Sequence, residues 1–297
     1  MPVGFKDYRE PASWLTFDEI VRLMTLLQRS GTRKVRLTGG EPLLRRNLPD
    51  LVYRLRHEAG LEEISLSTNG LRLPKLAKSL KDAGLTRVNI SLDSLDKDKI
   101  RQITGRDVLG QIISGIDAAC DARLTPVKIN MVLMPGVNEH EVEDMFRFCC
   151  ERSLTLRIIE TMPIGDTARQ LGTRSAQPIL EALRQKYGLI PTTQSMGPGP
   201  ARYWQTPDGL HRIGFITPIS DHFCATCNRI RLAVDGTIYL CLGQEERIEL
   251  RELLRANPDD DEPILKALRQ GIELKPERHH FVEQPEKIIR FMSQTGG

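Results

Sequence analysis

A mixed α/β fold built on parallel strands is predicted by three observations. Strand-like runs alternate with helical periodicity at intervals of about 30 residues, glycines and prolines punctuate the junctions, and the strands carry polar side chains near their ends. Parallel strands need crossover connections, so the alternation implies a doubly wound sheet or a barrel. At 297 residues the chain has room for one barrel of ordinary size or for two domains.

The first helix starts at Thr16. Thr16 and Glu19 have the spacing of a capping box, Leu15 and Ile20 that of a hydrophobic staple, and Gly31 supplies the stop. Strands are predicted at Lys34 to Leu37, Glu63 to Ser67, Arg87 to Ser91, Val127 to Val132 and Thr155 to Glu160, with helical patterns between them. Gly60, Gly84 and Pro135-Gly136 mark helix ends and turns. Cys120, Cys149 and Cys150 fall in helical patterns and read as core.

At a period of two, the inward candidates are Arg36 and Thr38, Ser65 and Ser67, Asn89, Ser91 and Asp93, and Lys128 and Asn130. A sealed barrel would place Val, Ile and Leu there. Each buried polar group without a partner costs about 1–3 kcal/mol, so a ligand or water must satisfy them unless they face solvent on the other side of the sheet. Helices covering the outside of a parallel sheet argue against that alternative.

Composition excludes several classes. A net charge of +3 gives no global field for nucleic acid or a membrane surface, so any anion site is local. No apolar run approaches a membrane span, the first residues lack a signal pattern, and the expected location is the cytoplasm. Six cysteines are too few for a disulfide scaffold.

Beyond the alternating region, Met196-Gly197-Pro198-Gly199-Pro200 is rich in breakers, and strand-like runs follow at Arg202 to Trp204 and Arg212 to Ile216. The expected division is a barrel over 1–190 and a smaller domain over 191–297. Asp235-Gly236 signals a hairpin, and Asp259 to Glu262 reads as a solvated helix start. The smaller domain carries Cys224, Cys227 and Cys241, with Arg229 and Arg231 between them. Three thiolates suit an iron–sulfur or metal centre with one open position; a zinc ribbon closed by His222 or another ligand is the alternative. In a strand, both arginines would face one side.

Thr38-Gly39-Gly40-Glu41-Pro42 follows the first strand: two glycines admit close approach to a ligand, and Glu41 offers a carboxylate to an ammonium group. Thr68-Asn69-Gly70 is a turn. Taken together, residues 37–45 (Leu-Thr-Gly-Gly-Glu-Pro-Leu-Leu-Arg), Ser67-Thr68-Asn69-Gly70, Ser91-Leu92-Asp93, Lys128-Ile129-Asn130 and the cysteine set resemble the GTP 3′,8-cyclase family of radical S-adenosylmethionine enzymes, which act in molybdenum cofactor biosynthesis. The likeness runs the length of the chain, and Gly296-Gly297 resembles the family's C-terminal tail.

This resemblance implies a partial (βα)6-type radical S-adenosylmethionine barrel with a smaller C-terminal iron–sulfur domain. It assigns S-adenosylmethionine to Gly39, Gly40, Glu41, Asn69, Ser91, Asp93, Asn130 and Met162. GTP falls to Arg36, Ser67, Lys128, Arg157, Arg229, Ile230 and Arg231, with Arg229, Arg231, Gly296 and Gly297 in catalytic roles. A [4Fe–4S] cluster on Cys224, Cys227 and Cys241 would turn its open iron to the guanine. The family chemistry abstracts the ribose 3′ hydrogen with a deoxyadenosyl radical and closes a bond to guanine C8. A cyclic pyranopterin monophosphate synthase would consume the product, and a homodimer is possible. No membrane or nucleic-acid partner is expected.

The family's other [4Fe–4S] cluster is bound by a CxxxCxxC motif, which these 297 residues do not contain. Met1-Pro2 resembles the residues just after its third cysteine. The expectation is therefore a chain that starts late, through an upstream start codon or truncation, lacks a strand and one GTP-contacting arginine, and is inactive as written. Its edge near Arg33 to Leu37 would be exposed. A non-catalytic GTP-binding form and a zinc-ribbon interaction protein are the rival readings.

Overall fold

The capping box at the first helix forms as its sequence dictates: Thr16 N–H donates to Glu19 Oε2 at 2.8 Å, and Glu19 N–H to Thr16 Oγ1 at 3.2 Å. Helix α1 (Phe17–Arg29) then buries Val21, Leu23, Met24, Leu26 and Leu27, and Gly31 follows with φ 105°. The structure, a computed structural model, describes residues 11–164, 172–192, 197, 199–221 and 223–281. They divide into two units: one takes its residues from 1–66, 78–86 and 224–297, the other from 67–77 and 87–223.

In the first unit, β1 (Lys34–Leu37) pairs in parallel with β2 (Glu63–Thr68), Arg36 opposite Ser65. None of β1's four residues is buried, whereas β2 is mostly buried. Helix α2 (Leu48–His57) packs on α1. Later in the chain, β9 (Arg231–Leu232), β10 (Thr237–Tyr239) and β11 (Arg247–Glu249) form an antiparallel sheet, and Asp235-Gly236 makes the predicted turn with Gly236 at φ 86°.

Two short helices close this unit. They are α8 (Arg251–Ala256) and α9 (Glu262–Ile272), numbered after seven helices of the described residues. Arg22 ties them to α1: its Nε donates to Asp261 Oδ1 at 2.9 Å, and its other nitrogens reach the carbonyls of Leu254, Asn257 and Asp260. Asp261, read from sequence as solvated, is therefore half of an ion pair.

The second unit is built on parallel strands. Strands β3 (Arg87–Ser91), β4 (Lys128–Val132) and β5 (Thr155–Ile159) run parallel, and β8 (Arg212–Ile216) joins β5 in the same sense. β7 (Arg202–Gln205) and β6 (Ile190–Pro191) continue the sheet antiparallel. Helices α3 (Leu73–Asp82), α4 (Lys97–Thr104), α5 (Leu109–Asp121), α6 (Val142–Glu151) and α7 (Gln177–Tyr187) alternate with the strands.

The five predicted parallel strands agree with β1 to β5 to within a residue at each end. The boundary expected at 190/191 does not coincide with this division. Strands over 202–216, read as part of the C-terminal domain, belong to the parallel sheet, because β8 finds its backbone partners on β5.

Period-two alternation sorts the two faces of this sheet. Val88, Ile90, Ile129, Met131, Leu156, Ile158, Ile213 and Phe215 are at most 2% exposed and form the apolar face. Burying each such side chain contributes about 1.5–3 kcal/mol. The other face carries Asn89, Lys128, Asn130, Arg157 and Gly214 in matching registers.

Candidate active site

Polar groups on that second face are interior: Asn89 is 0%, Lys128 1% and Arg157 2% exposed. One transverse row runs Ser91, Asn130, Arg157, Gly214, Tyr203 across β3, β4, β5, β8 and β7. Arg157 Nε donates to Asn130 Oδ1 at 2.9 Å, and the Tyr203 hydroxyl is close enough to favour its charged form. Burial, with Arg87 adding repulsion, pulls Arg157 below its ordinary range despite Tyr203. No carboxylate of the described residues contributes to its surroundings. Lys128 Nζ donates to the same Tyr203 hydroxyl at 3.2 Å. Asn89 Nδ2 donates to Ser67 Oγ at 3.2 Å, while Asn89 Oδ1 is buried without a hydrogen-bond donor among the described residues. Such a face favours an anionic, hydrogen-bonding ligand.

At the strand ends of this unit, Ser91 is exposed and Asn130 partly so. Asp93 Oδ1 accepts from Val132 N–H at 2.8 Å. Fully buried Asn138 fixes the same corner, donating to the carbonyls of Asp93 and Val132 and accepting from Met134 N–H. Asp93 keeps some exposed surface, yet burial is the largest influence on its carboxyl and pushes it up to about 6, against the Val132 hydrogen bond.

The Thr68-Asn69-Gly70 turn is held by its own side chains, Thr68 Oγ1 accepting from Gly70 N–H and Asn69 Oδ1 from Leu71 N–H. Helix α5 presses on it at Gly115, where a Cβ would meet Gly70 O at 2.2 Å. Met162, the remaining candidate here, lies just beyond β5 and is partly exposed.

In the first unit, Arg36 is half-buried on β1. Beyond it, Gly39 adopts φ 138°, and a Cβ at Gly39 or Gly40 would meet nothing within 4 Å, so both glycines border open space. Glu41 caps the turn Pro42–Leu44, its Oε1 accepting from Leu43 N–H at 3.0 Å. That bond fixes the carboxylate beside the open space, where its charge suits a cationic group.

Cys224, Cys227 and Cys241 are all half-buried thiols of this unit. Cys224 begins a short 3-10 turn in which Cys227 N–H donates to Cys224 O at 2.9 Å. Burial raises the Cys227 thiol, but the Arg229 backbone N–H, the Arg229 guanidinium and Lys275 outweigh it and leave it below the ordinary range. Burial keeps Cys241 above that range; the Gly243 N–H, Lys275 and Arg231 oppose the rise, and Cys224 adds to it. Lys275 bridges the two loops by donating to Arg229 O at 2.9 Å and Leu240 O at 2.5 Å.

Among the described residues no three His, Cys, Asp or Glu side chains converge tightly enough for a single ion. The donor set, three thiolates among two backbone N–H groups and three cations, fits a cluster.

Sequence reasoning missed Tyr203, Gly214, Asn138 and Lys275. Tyr203 and Gly214 had a strand-period signal; Asn138 and Lys275 act through contacts that no local pattern encodes. His222 and the Gly296-Gly297 tail lie outside the described residues. Ile230, partly exposed, sits between the two arginines.

Residues 4–149 match the Radical SAM superfamily, and residues 154–281 match Molybdenum Cofactor Synthesis C. The chain is 44% identical over 287 residues to the GTP 3′,8-cyclase of Marinobacter nauticus and 45% identical over 288 residues to that of Pseudomonas putida, in each case over 95% of this chain and 86% of the relative. Among solved structures, Streptococcus suis SuiB bound to S-adenosylmethionine aligns with a TM-score of 0.58 at 13% identity, over 89% of this chain and 62% of that one. A second SuiB structure aligns at 0.55 and 13% identity over 95% and 70%. These two likenesses bear on the fold alone.

Proposed function

The chain belongs to the GTP 3′,8-cyclase family of radical S-adenosylmethionine enzymes, and from that membership we propose how its residues divide the work. The reaction converts GTP to (8S)-3′,8-cyclo-7,8-dihydroguanosine 5′-triphosphate, the first step of molybdenum cofactor biosynthesis. One observation carries the division: Arg157, 2% exposed, has among the described residues only a neutral hydrogen-bond partner, Asn130. A buried guanidinium is costly without an anion, and a triphosphate supplies one in the geometry Arg binds best.

Lys128 and Arg157 hold phosphate oxygens, with Ser67 donating a hydrogen bond. Arg36, Arg229, Ile230 and Arg231 are the other GTP contacts. Gly39 and Gly40 admit the methionyl end of S-adenosylmethionine, and Glu41 receives its ammonium; Asn69, Ser91, Asp93, Asn130 and Met162 complete the cofactor contacts. Cys224, Cys227 and Cys241 hold a [4Fe–4S] cluster. When bound beside the family's other [4Fe–4S] cluster as electron donor, S-adenosylmethionine would supply the radical that starts the reaction, and the Cys224/Cys227/Cys241 cluster would supply an open iron for the guanine. The chain's own residues orient the ribose and keep water from it. Gly296 and Gly297 take part as the catalytic tail. The product passes to a cyclic pyranopterin monophosphate synthase in the cytoplasm. No helix among the described residues is long and apolar enough to cross a membrane.

The test is metal analysis after anaerobic purification. The single cysteine triad should hold roughly four irons with matching sulfide, lost in Cys227→Ala. Stoichiometric zinc in place of iron would overturn the cluster assignment.

A further inference from the structure

Tyr203 reaches the two buried cations only because β8 has no side chain at Gly214. The two residues face each other across the β7–β8 ladder, and a Cβ on Gly214 would meet Tyr203 Cε1 at 2.6 Å and Cδ1 at 2.9 Å. The ring therefore lies across the glycine, toward Arg157, which is Gly214's register partner on β5. Its hydroxyl oxygen accepts from Lys128 Nζ at 3.2 Å and lies near enough to favour the charged Arg157 guanidinium.

A phenol oxygen has two lone pairs and one proton. Lys128 spends a donor on one lone pair, and neither Lys128 nor Arg157 can accept the phenol proton. The proton remains to be given away. Its complement is an oxygen that accepts and never donates, and it must lie within reach of the Lys128 and Arg157 donors.

We propose that Tyr203 is a phosphate-binding and positioning residue of the nucleotide site, holding Lys128 and Arg157 at one point and donating its hydroxyl proton to an oxygen of the triphosphate. The proposal rests on the triphosphate reading above and extends it to a residue the resemblance does not assign. Gly214 is then a requirement of the site: any larger residue evicts the ring.

The experiment is titration calorimetry of cluster-replete protein with GTP, guanosine and inorganic tripolyphosphate. Tyr203→Phe keeps the ring and removes only the hydroxyl. It should weaken GTP and tripolyphosphate by about ten- to a hundredfold and leave guanosine unchanged. Gly214→Ala, which displaces the ring, should show the same selective loss, with the iron content of both variants as in wild type. Equal weakening of guanosine would mean the hydroxyl only supports the fold, and would overturn the proposal. Wild-type affinity for GTP in Tyr203→Phe would overturn it while sparing the triphosphate reading. A wild-type protein that binds GTP no better than guanosine would overturn both.

Discussion

Asn130 and Arg157 stand opposite each other in the β4–β5 ladder, and the guanidinium Nε donates to the amide oxygen at 2.9 Å. That bond satisfies one of five donors on a side chain that is 2% exposed. A residue kept for stability would have a carboxylate partner there. Arg157→Met, close in volume, should therefore leave the ligand-free protein as stable as wild type or more so, since a buried charge is removed. Its GTP affinity should fall at least tenfold. Denaturant midpoints and calorimetry on the same preparations check both halves, and a large loss of stability would mark Arg157 as structural.

Asp93 gives the chain a pH signature. Its carboxyl holds a proton up to about pH 6 in the folded state, against the ordinary 3.8. Below about pH 4 both states are protonated. Between there and about pH 6 the unfolded chain releases its proton first, so folding stability falls as pH rises, by on the order of 2–3 kcal/mol from this group. Asp93→Asn keeps the oxygen that accepts from Val132 N–H and removes the titration. The variant should match wild type near pH 4 and exceed it in unfolding free energy at pH 7. A constant difference across that range would show that Asp93 does not titrate there.

Gly115 of α5 and Gly70 of the turn after β2 are in backbone contact, with 2.2 Å left for a Cβ against Gly70 O. A carbonyl cannot rotate away as a side-chain tip can, so Gly115→Ala must push the helix off the Asn69 turn. The expected cost is about 1–3 kcal/mol or more, and S-adenosylmethionine affinity should fall with it. Gly110→Ala in the same helix, where a Cβ meets nothing within 4 Å, is the control and should be neutral or slightly stabilising. Equal melting temperatures for the two variants would contradict the contact.

Parallel strands were legible because each is a short run of apolar residues alternating with polar ones, with glycine or proline near most junctions. The same period exposed Lys128 and Asn130 as interior, since no outward reading suits a sheet covered by helices. β8 was misplaced because the breaker-rich stretch before it resembles a domain boundary, and because its pairing with β5 spans many residues and leaves no local trace. Lys275 was invisible for a related reason: its ammonium matters only once folding brings Arg229 O and Leu240 O to it. The cysteine spacing announced a centre but not its field of cations.

Arg229 and Arg231 read from sequence as an equivalent pair, and the structure separates them. Arg229 supplies both a backbone N–H and a guanidinium to the Cys227 sulfur, and its carbonyl is held by Lys275. Arg231 begins β9 opposite Tyr239 and acts on Cys241 through its charge alone. Arg229→Ala should therefore disturb the cluster itself, with iron lost faster under chelator, because the thiolate loses a charge-assisted donor. Arg231→Ala should retain iron and lose GTP affinity by about ten- to a hundredfold. Lys at 231 should restore only part of it, lacking the planar fork. Iron retention and GTP titration on both variants decide the matter: full iron with equal GTP loss in both would restore the equivalence, and unchanged affinity in Arg231→Ala would remove it from the nucleotide site.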